Sequence, residues 1–300
     1  MILTLNEMNI KGKLVIIGGS VNAGEAVLKG TAKEDELELF YEQGILKKIL
    51  DISKHGKDSV IQVVTAASQQ PSEAAKPYLK AFELLGAKNC AHLPIHTRED
   101  AENTVNNTKL EAADIVFFTG GDQLLLTSTI GGTRFHNTLL RKYKESELVY
   151  AGTSAGAAAA SSSMIYEGQS TDALLKGAVD LNSGLGLTDS LIADTHFMKR
   201  GRFGRLFQAV AGNPMKIGVG LSEDTGLIIE NNNSMQVIGS GNVAILDGRA
   251  IADTNLTKIS EEEPISISRV ITHVLSKDDL FYLDKGRAVI NKSQYSSKSN

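Results

Sequence analysis

Short apolar runs recur along the first three-quarters of the chain, and they predict the strands of a sheet. The runs are rich in β-branched residues and end in glycine or small polar residues, which is typical of strands buried on both faces of a parallel sheet. The predicted strands are Leu14–Ile17, Val60–Thr65, Ile115–Phe118, Leu148–Ala151 and Ile217–Leu221.

Segments with helical spacing lie between these runs, at Ser72–Leu85, Gln123–Ile130 and Thr133–Tyr143. The first follows a Pro/Ser start and ends at Gly86, a residue suited to terminate a helix. Alternation of strands and helices predicts an α/β fold with a doubly wound, mostly parallel sheet.

The pattern changes from about Leu227. Short strands separated by Asn-, Gly- and Asp-rich turns predict a small antiparallel extension, at Leu227–Glu230, Met235–Ile238 and Val243–Leu246. We expect one domain over residues 1–290, with a core at about 12–230 and the extension at about 225–290. The Ser/Lys/Asn-rich residues 291–300 are expected to form a disordered tail.

Composition and charge narrow the class of protein. A formal net charge of −4 over 300 residues argues against nucleic acid as the main partner. Cys90 is the only cysteine, so no intrachain disulfide is expected and a reducing compartment is favoured. Met1–Lys13 lacks the pattern of a secretory leader, and no run approaches the roughly 20 apolar residues of a membrane span. These features predict a cytoplasmic protein without a membrane partner.

The strongest chemical signal is the motif Gly-Thr-Ser-Ala-Gly at residues 152–156, between an apolar run and an Ala-rich segment. A nucleophilic serine on a strand-to-helix turn needs residues without bulk two places before and after it. Gly152 and Gly156 meet this need, so Ser154 is the predicted nucleophile and the amide of Ala155 a predicted oxyanion donor. The competing interpretation is an inert glycine-rich turn.

A second glycine-rich turn, at residues 118–123, also follows a buried strand. Its glycines would let backbone amides approach the same reaction centre, and Gly121 is the candidate for a second oxyanion donor. A plain tight turn is the alternative.

Among six histidines, His196 is the best candidate for the general base. It follows the apolar run Leu191–Ala193, at a strand end where α/β folds place functional loops. Three guanidinium groups come next, at Arg200, Arg202 and Arg205, and such groups hold carboxylates through paired hydrogen bonds. A solvated basic helix start would explain them equally well.

Three motifs together resemble the cyanophycinases, in the serine peptidase family that also contains dipeptidase E. They are Gly-Gly-Asp-Gln at 120–123, Gly-Thr-Ser-Ala-Gly-Ala at 152–157 and Asp-x-His-Phe-x-x-Arg-x-Arg-x-x-Arg at 194–205. The resemblance covers most of the chain, from Leu14 to about Glu230. It implies a fold like that of class I glutamine amidotransferases, which is flavodoxin-like, a homodimer, and neither metal nor organic cofactor.

The resemblance also implies a substrate and roles for residues. The substrate would be cyanophycin or β-linked Asp-Arg peptides, cleaved through an acyl-enzyme on Ser154 to release β-aspartyl-arginine dipeptides. Gln123 matches a position beside the oxyanion hole, and Asp194 is placed to bind substrate or steady the loop. The basic triplet of Arg200, Arg202 and Arg205 would bind the free carboxylate of each substrate unit.

The acid that would orient His196 is the least defined member of the triad. The family position lies shortly after the nucleophile helix, where Asp172 matches best and Glu167 is the fallback. Glu223 and Asp224, after the strand that ends at Leu221, are candidates to pair with substrate guanidinium groups instead.

Two other functions remain open at this point. A dipeptidase E-like enzyme would act on aspartyl dipeptides, although three arginines favour a substrate with more anionic groups. A non-catalytic protein of the same fold would use the turn and the arginines to hold a carboxylated ligand. An esterase is disfavoured because the His-Gly-Gly-Gly oxyanion segment is missing.

Overall fold

The computed structural model describes residues 10–292. Within them the strands are β1 Lys13–Ile17, β2 Val60–Val64, β3 Asn89–Leu93, β4 Ile115–Phe118, β5 Val149–Thr153, β6 Ser163–Glu167, β7 Asp180–Ser183, β8 Leu191–Asp194, β9 Ile217–Leu221, β10 Thr225–Glu230, β11 Ser234–Gly239, β12 Val243–Asp247, β13 Asp253–Thr254, β14 Ile267–Ser268, β15 Ile271–Leu275, β16 Leu280–Tyr282 and β17 Arg287–Val289. The α-helices are α1 Glu25–Leu28, α2 Glu34–Glu38, α3 Ile45–Ile52, α4 Pro71–Leu84, α5 Arg98–Glu102, α6 Thr104–Ala112, α7 Gln123–Ile130, α8 Arg134–Glu145, α9 Ala155–Ala158 and α10 Phe203–Gly212. Of the expected tail at residues 291–300, the part from residue 293 onward lies outside the described residues.

A nine-stranded mixed sheet forms the centre of the molecule, in the order β17-β16-β11-β10-β1-β5-β4-β2-β3. Five neighbouring strands, β1, β5, β4, β2 and β3, are parallel. The other four pair antiparallel, beginning with β10 against β1. The predicted α/β class with a parallel sheet at its core is confirmed.

Alternation along the central strands divides the core into two layers. Val15 and Ile17 of β1 belong to the apolar cluster that includes α3 and α4. Leu14 and Ile16 face the opposite side, in the cluster that includes α6 and α8. Because successive side chains of a strand point to opposite faces, a run of apolar residues lets both faces be covered.

One predicted strand, Ile217–Leu221, forms but lies in a different sheet from the one expected. As β9 it belongs to a four-stranded sheet of order β15-β12-β9-β8, parallel to β8 and antiparallel to β12. Its glycines allow close packing on this sheet: a Cβ at Gly220 would lie 2.5 Å from the ring of Phe197, and one at Gly218 2.6 Å from Val210. An apolar run alone does not specify which sheet a strand joins.

Helices predicted from spacing occur close to their expected positions, as α4, α7 and α8. β3 was not predicted, since its residues alternate between exposed and half-buried positions at the sheet edge. In residues 10–292, none of the helices combines the length and apolar character needed to cross a membrane.

Candidate active site

Ser154 occupies a strained turn at the carboxyl end of β5. Its backbone angles are φ 52° and ψ −109°, in a region that residues other than glycine rarely adopt. A Cβ at Gly152 would lie 2.4 Å from the carbonyl oxygen of Gly156, and a Cβ at Gly156 would lie 2.7 Å from Cβ of Phe118. Both glycines of the motif are therefore required by close packing, which fixes the serine in the turn.

His196 lies directly against this serine. Its Nε2 is 3.0 Å from Oγ of Ser154, within hydrogen-bond distance for a nucleophile and its base. The backbone N–H of His196 donates to the carbonyl of Gly18 at 2.8 Å. A Cβ at Gly19 would come within 2.3 Å of the imidazole, so the turn after β1 forms a wall behind the ring. No role in the site was predicted for residues 18–20 from the sequence.

Glu223, and not Asp172, contacts the other nitrogen of the imidazole. Its Oε1 lies 2.9 Å from Nδ1 of His196. Both ring nitrogens are thereby engaged, so the imidazole has no position left for a second carboxylate. Asp172 is exposed and hydrogen bonds with Thr171, and Glu167 is exposed at the end of β6. The contact with Nδ1 of His196 that was expected of Asp172, with Glu167 as its fallback, is made by Glu223 in this structure.

Strand pairing explains why Glu223 reaches the histidine. β8 and β9 are parallel neighbours, with Asp194 opposite Gly220. Because parallel strands bring their carboxyl ends to one edge, the loops that carry His196 and Glu223 lie side by side. The signal available in the sequence was an acidic residue after a buried strand, the same position that Ser154 and His196 occupy.

The carboxylate of Glu223 is held by cationic and hydroxyl groups. Nζ of Lys199 lies 3.1 Å from its Oε1 and 2.9 Å from its Oε2. Hydrogen bonds from Lys199, His196 and Ser20, with Lys199 the largest cause, lower the pKa of Glu223 from its ordinary value of 4.5 to about 2. Glu223 is therefore an anion across the neutral range and can stabilise a positive charge on His196.

Two of the three arginines form a buried cluster with Asp194. The Asp194 side chain is fully buried and accepts a two-point contact from Nε and Nη2 of Arg205, the first at 2.7 Å. Arg202 donates to Asp194 at 3.3 Å and to the carbonyl of Thr195 at 2.7 Å. Arg205 also donates to the carbonyl of Gly168 at 3.0 Å. These guanidinium groups are thus already bonded within the protein.

Arg200 differs from its two neighbours because it is exposed. It lies with Arg202, Arg205, Asp194 and Gln123 around a polar cavity of about 140 Å³ that also contains Ser154 and His196. Nε2 of Gln123 donates to the carbonyls of Ile165 and Tyr166, at 3.2 Å each. The structure therefore gathers the predicted substrate-binding residues around the nucleophile.

The turn that carries the predicted oxyanion donor Gly121 lies close to Ser154, and Ala155 directly follows the serine at the start of α9. A Cβ at Gly120 would be 3.3 Å from Cβ of Ser154, which shows how closely the turn at residues 118–123 approaches the nucleophile. Gly121 has a φ of 144°, and a Cβ there would lie 2.0 Å from the carbonyl oxygen of Ala67. Only glycine fits at this position, which borders the cavity.

Asp224 binds neighbouring loop residues rather than the catalytic side chains. Its carboxylate accepts from the backbone N–H of Asn22 at 2.9 Å and from Oγ of Ser240 at 3.1 Å, while burial raises its pKa. Among residues 10–292, no group of three or more His, Cys, Asp or Glu side chains is placed to bind a metal ion.

Comparison with known proteins identifies the family. The model of peptidase family S51 matches residues 30–237. The chain belongs to this family. The resemblance indicated by the three motifs is confirmed, and so is the predicted serine-type peptidase.

Curated relatives support the same assignment. The chain is 37% identical to the cyanophycinase of Trichormus variabilis over 223 residues, which cover 74% of this chain and 75% of the relative. It is 33% identical to the cyanophycinase of Geminocystis herdmanii over 226 residues, covering 75% and 83%. A solved peptidase from an acI-B1 actinobacterium has the same fold, with a TM-score of 0.61, 20% identity and coverage of 89% of this chain and 98% of that one.

Proposed function

We propose that this chain is a cyanophycinase, which hydrolyses cyanophycin to β-aspartyl-arginine dipeptides. The observation that carries the proposal is the hydrogen-bonded series Ser154–His196–Glu223 beside an arginine-lined cavity. The proposal is further supported by curated relatives that are cyanophycinases. Both alternatives, a dipeptidase E-like enzyme and a carboxylate-binding protein, are outcomes of the test below.

In the proposed first step, Oγ of Ser154 attacks the backbone carbonyl carbon of the polymer while Nε2 of His196 takes its proton. Glu223 accepts a hydrogen bond from Nδ1–H of His196 and stabilises the imidazolium that forms. Collapse of the tetrahedral intermediate breaks the peptide bond, and His196 gives its proton to the leaving amine. An acyl-enzyme on Ser154 remains.

In the second step, water attacks the acyl-enzyme with His196 again as base, which releases the free carboxylate and restores the Ser154 hydroxyl. The amides of Gly121 and Ala155 are the proposed donors to the oxyanion in both steps, since they flank the nucleophile. Gln123 would orient the substrate at the cavity wall, because its amide is anchored on β6.

Substrate carboxylates are proposed to bind at Arg200. Each cyanophycin unit carries a free carboxylate on its arginine, and an exposed guanidinium group at the cavity can bind that carboxylate by donating paired hydrogen bonds. Arg202 and Arg205 would act mainly by shaping the cavity and adding positive potential, because donors of both already bind Asp194 and backbone carbonyls.

The test is incubation of purified protein with cyanophycin, with soluble products followed by mass spectrometry. We expect β-aspartyl-arginine from the wild type and from Ser72→Ala, an exposed serine on α4, and none from Ser154→Ala. Turnover of N-terminal aspartyl dipeptides without release from the polymer would replace the proposal with a dipeptidase. Binding of cyanophycin by wild type and Ser154→Ala alike, without product, would replace it with a binding protein.

We also propose the finer features that the family resemblance implies. They are a flavodoxin-like fold of the glutamine amidotransferase type over residues 1–290, with an antiparallel extension at about 225–290, a homodimer and a cytoplasmic location. The parallel order β5-β4-β2-β3 supports the first of these. Light scattering on a sizing column tests the dimer, and cell fractionation tests the compartment.

A further inference from the structure

Lys199 lies between the basic segment and the triad acid, and the serine mechanism assigns it no role. Its side chain is 69% exposed, whereas Glu223 is 25% exposed and His196 16% exposed. The turn that follows β8 directs it toward Glu223, with the N–H of Arg200 bonded to the carbonyl of His196 at 3.0 Å.

Lys199 contacts both carboxylate oxygens of Glu223, and this two-point contact restricts the orientation of the carboxylate. Nζ of Lys199 reaches both oxygens of Glu223, and it shares Oε1 with Nδ1 of His196. A carboxylate that rotated away from Lys199 would also leave His196. The ammonium group therefore restricts Glu223 to the rotamer in which its Oε1 accepts a hydrogen bond from Nδ1–H of the imidazole.

The contact also has an electrostatic consequence. A positive charge beside Glu223 offsets part of the negative charge that would otherwise stabilise a protonated imidazole. The other charged or titratable side chains that line the cavity with His196 are Asp194, Arg200, Arg202, Arg205 and Tyr166. Asp224, the neighbour of Glu223 in the chain, binds Asn22 and Ser240 instead. Asp194 is balanced by two arginines, so Lys199 is the cation that bears directly on Glu223.

We propose that Lys199 is a positioning residue of the active site, which fixes Glu223 against His196 and offsets part of the negative charge that Glu223 presents to the imidazole. That the catalysed reaction is cyanophycin hydrolysis rests on the proposed function. The role of Lys199 itself concerns only the reactivity of Ser154.

The experiment measures two reactions over pH 5–9: cyanophycin hydrolysis, and the rate at which a fluorophosphonate probe labels Ser154. The variants are Lys199→Met, Lys199→Arg and the control Lys54→Met. Lys54 is a matched choice, since it is 60% exposed and pairs with Glu147 at 3.0 Å, at the opposite end of the parallel strands.

For Lys199→Met we expect both rates to fall about twofold to fivefold near pH 6, the size of effect typical of an exposed ion pair. The acid limb of the profile should move upward by roughly half a pH unit. The fall should lie in kcat rather than KM. Lys199→Arg should restore most of the rate, and Lys54→Met should match the wild type.

The dependence of both rates on salt concentration is a second measurement. A lysine with a purely structural role would not change this dependence. At about 1 M salt the screening length is about 3 Å, so the wild type should approach Lys199→Met while that variant changes little. Identical labelling profiles for wild type and Lys199→Met would overturn the proposal. If the labelling rate depends on Lys199 but cyanophycin is not hydrolysed, only the proposed function is wrong. If the probe does not label Ser154 in the wild type, both the proposed function and the role of Lys199 are wrong.

Discussion

Two clusters of carboxylate and cation flank His196, and they differ in burial. The cluster of Asp194 with Arg202 and Arg205 is mostly closed from solvent, with side chains 0%, 14% and 6% exposed. The cluster of Glu223 with Lys199 is open, and its carboxylate touches the imidazole directly. Under the proposed mechanism the same chemical groups would serve different ends: the closed cluster would support the loop, and the open one would act on the proton transfer.

Burial explains the difference. Removing one partner of a buried ion pair leaves an uncompensated charge in a medium that solvates it poorly, so the whole structure depends on the pair. An exposed pair is screened by water and contributes little to stability, yet it can act strongly on an adjacent reacting group. We therefore expect substitutions in the two clusters to have separable effects.

The largest expected effect tests whether the open cluster acts on rate alone. Glu223→Gln should lower kcat by roughly 10³- to 10⁴-fold, because a neutral amide neither stabilises the imidazolium nor fixes its tautomer. The unfolding midpoint should stay within a few degrees of the wild type. Steady-state kinetics and thermal unfolding measure both quantities.

Asp172→Asn serves as the matched control, since Asp172 was the acid that the sequence favoured. It should leave kcat unchanged, because both imidazole nitrogens are engaged elsewhere. A loss of activity in Asp172→Asn with none in Glu223→Gln would reverse the assignment.

The second effect tests the closed cluster. Asp194→Asn should lower the free energy of unfolding by about 3–5 kcal/mol, because Arg202 and Arg205 lose their buried counter-charge. Urea titration measures the change. Asp189→Asn is the control, since Asp189 is 82% exposed and its pair with Lys216 should contribute less than about 1 kcal/mol. Equal losses in the two variants would mean that burial does not distinguish the pairs.

The third effect separates Arg200 from its neighbours. Arg200→Met should raise KM for cyanophycin about tenfold, the cost expected when a charge-assisted hydrogen bond to a substrate carboxylate is lost. Its unfolding midpoint should not change, because Arg200 is exposed. A drop in stability with unchanged KM would place Arg200 with the closed cluster.

The smallest effect concerns acid pH. The pKa of Glu223 is lowered to about 2 in the folded protein, so its contribution to stability is present above about 4.5 and is lost as pH falls from 4.5 toward 2. We expect the stability of the wild type to exceed that of Glu223→Gln by less than about 1 kcal/mol at neutral pH. The difference should vanish near pH 2. Paired urea titrations at several pH values give the comparison, and a difference that grew on acidification would contradict it.

Much of the site was predictable because its residues obey local rules. The turn at Ser154 requires Gly152 and Gly156 for steric reasons that a short motif expresses. His196 was found because it follows a buried strand, and the structure brings it within 3.0 Å of the serine. The position of Glu223 depends instead on which strands are neighbours in the sheet, and spacing along the chain does not predict which strands pair.

The sequence by itself determined the period of the strands and helices, the glycine-bounded turn of the nucleophile and the family to which the chain belongs. The elements and the turn follow from steric and solvation rules that act over a few residues, and the family follows from three motifs taken together. Only the tertiary structure decided that β9 joins β8 in a second sheet, and that Glu223 meets His196 while Arg205 is closed off by Asp194. Such choices arise from packing between distant segments, where burial and shape select one partner among several of equal chemistry.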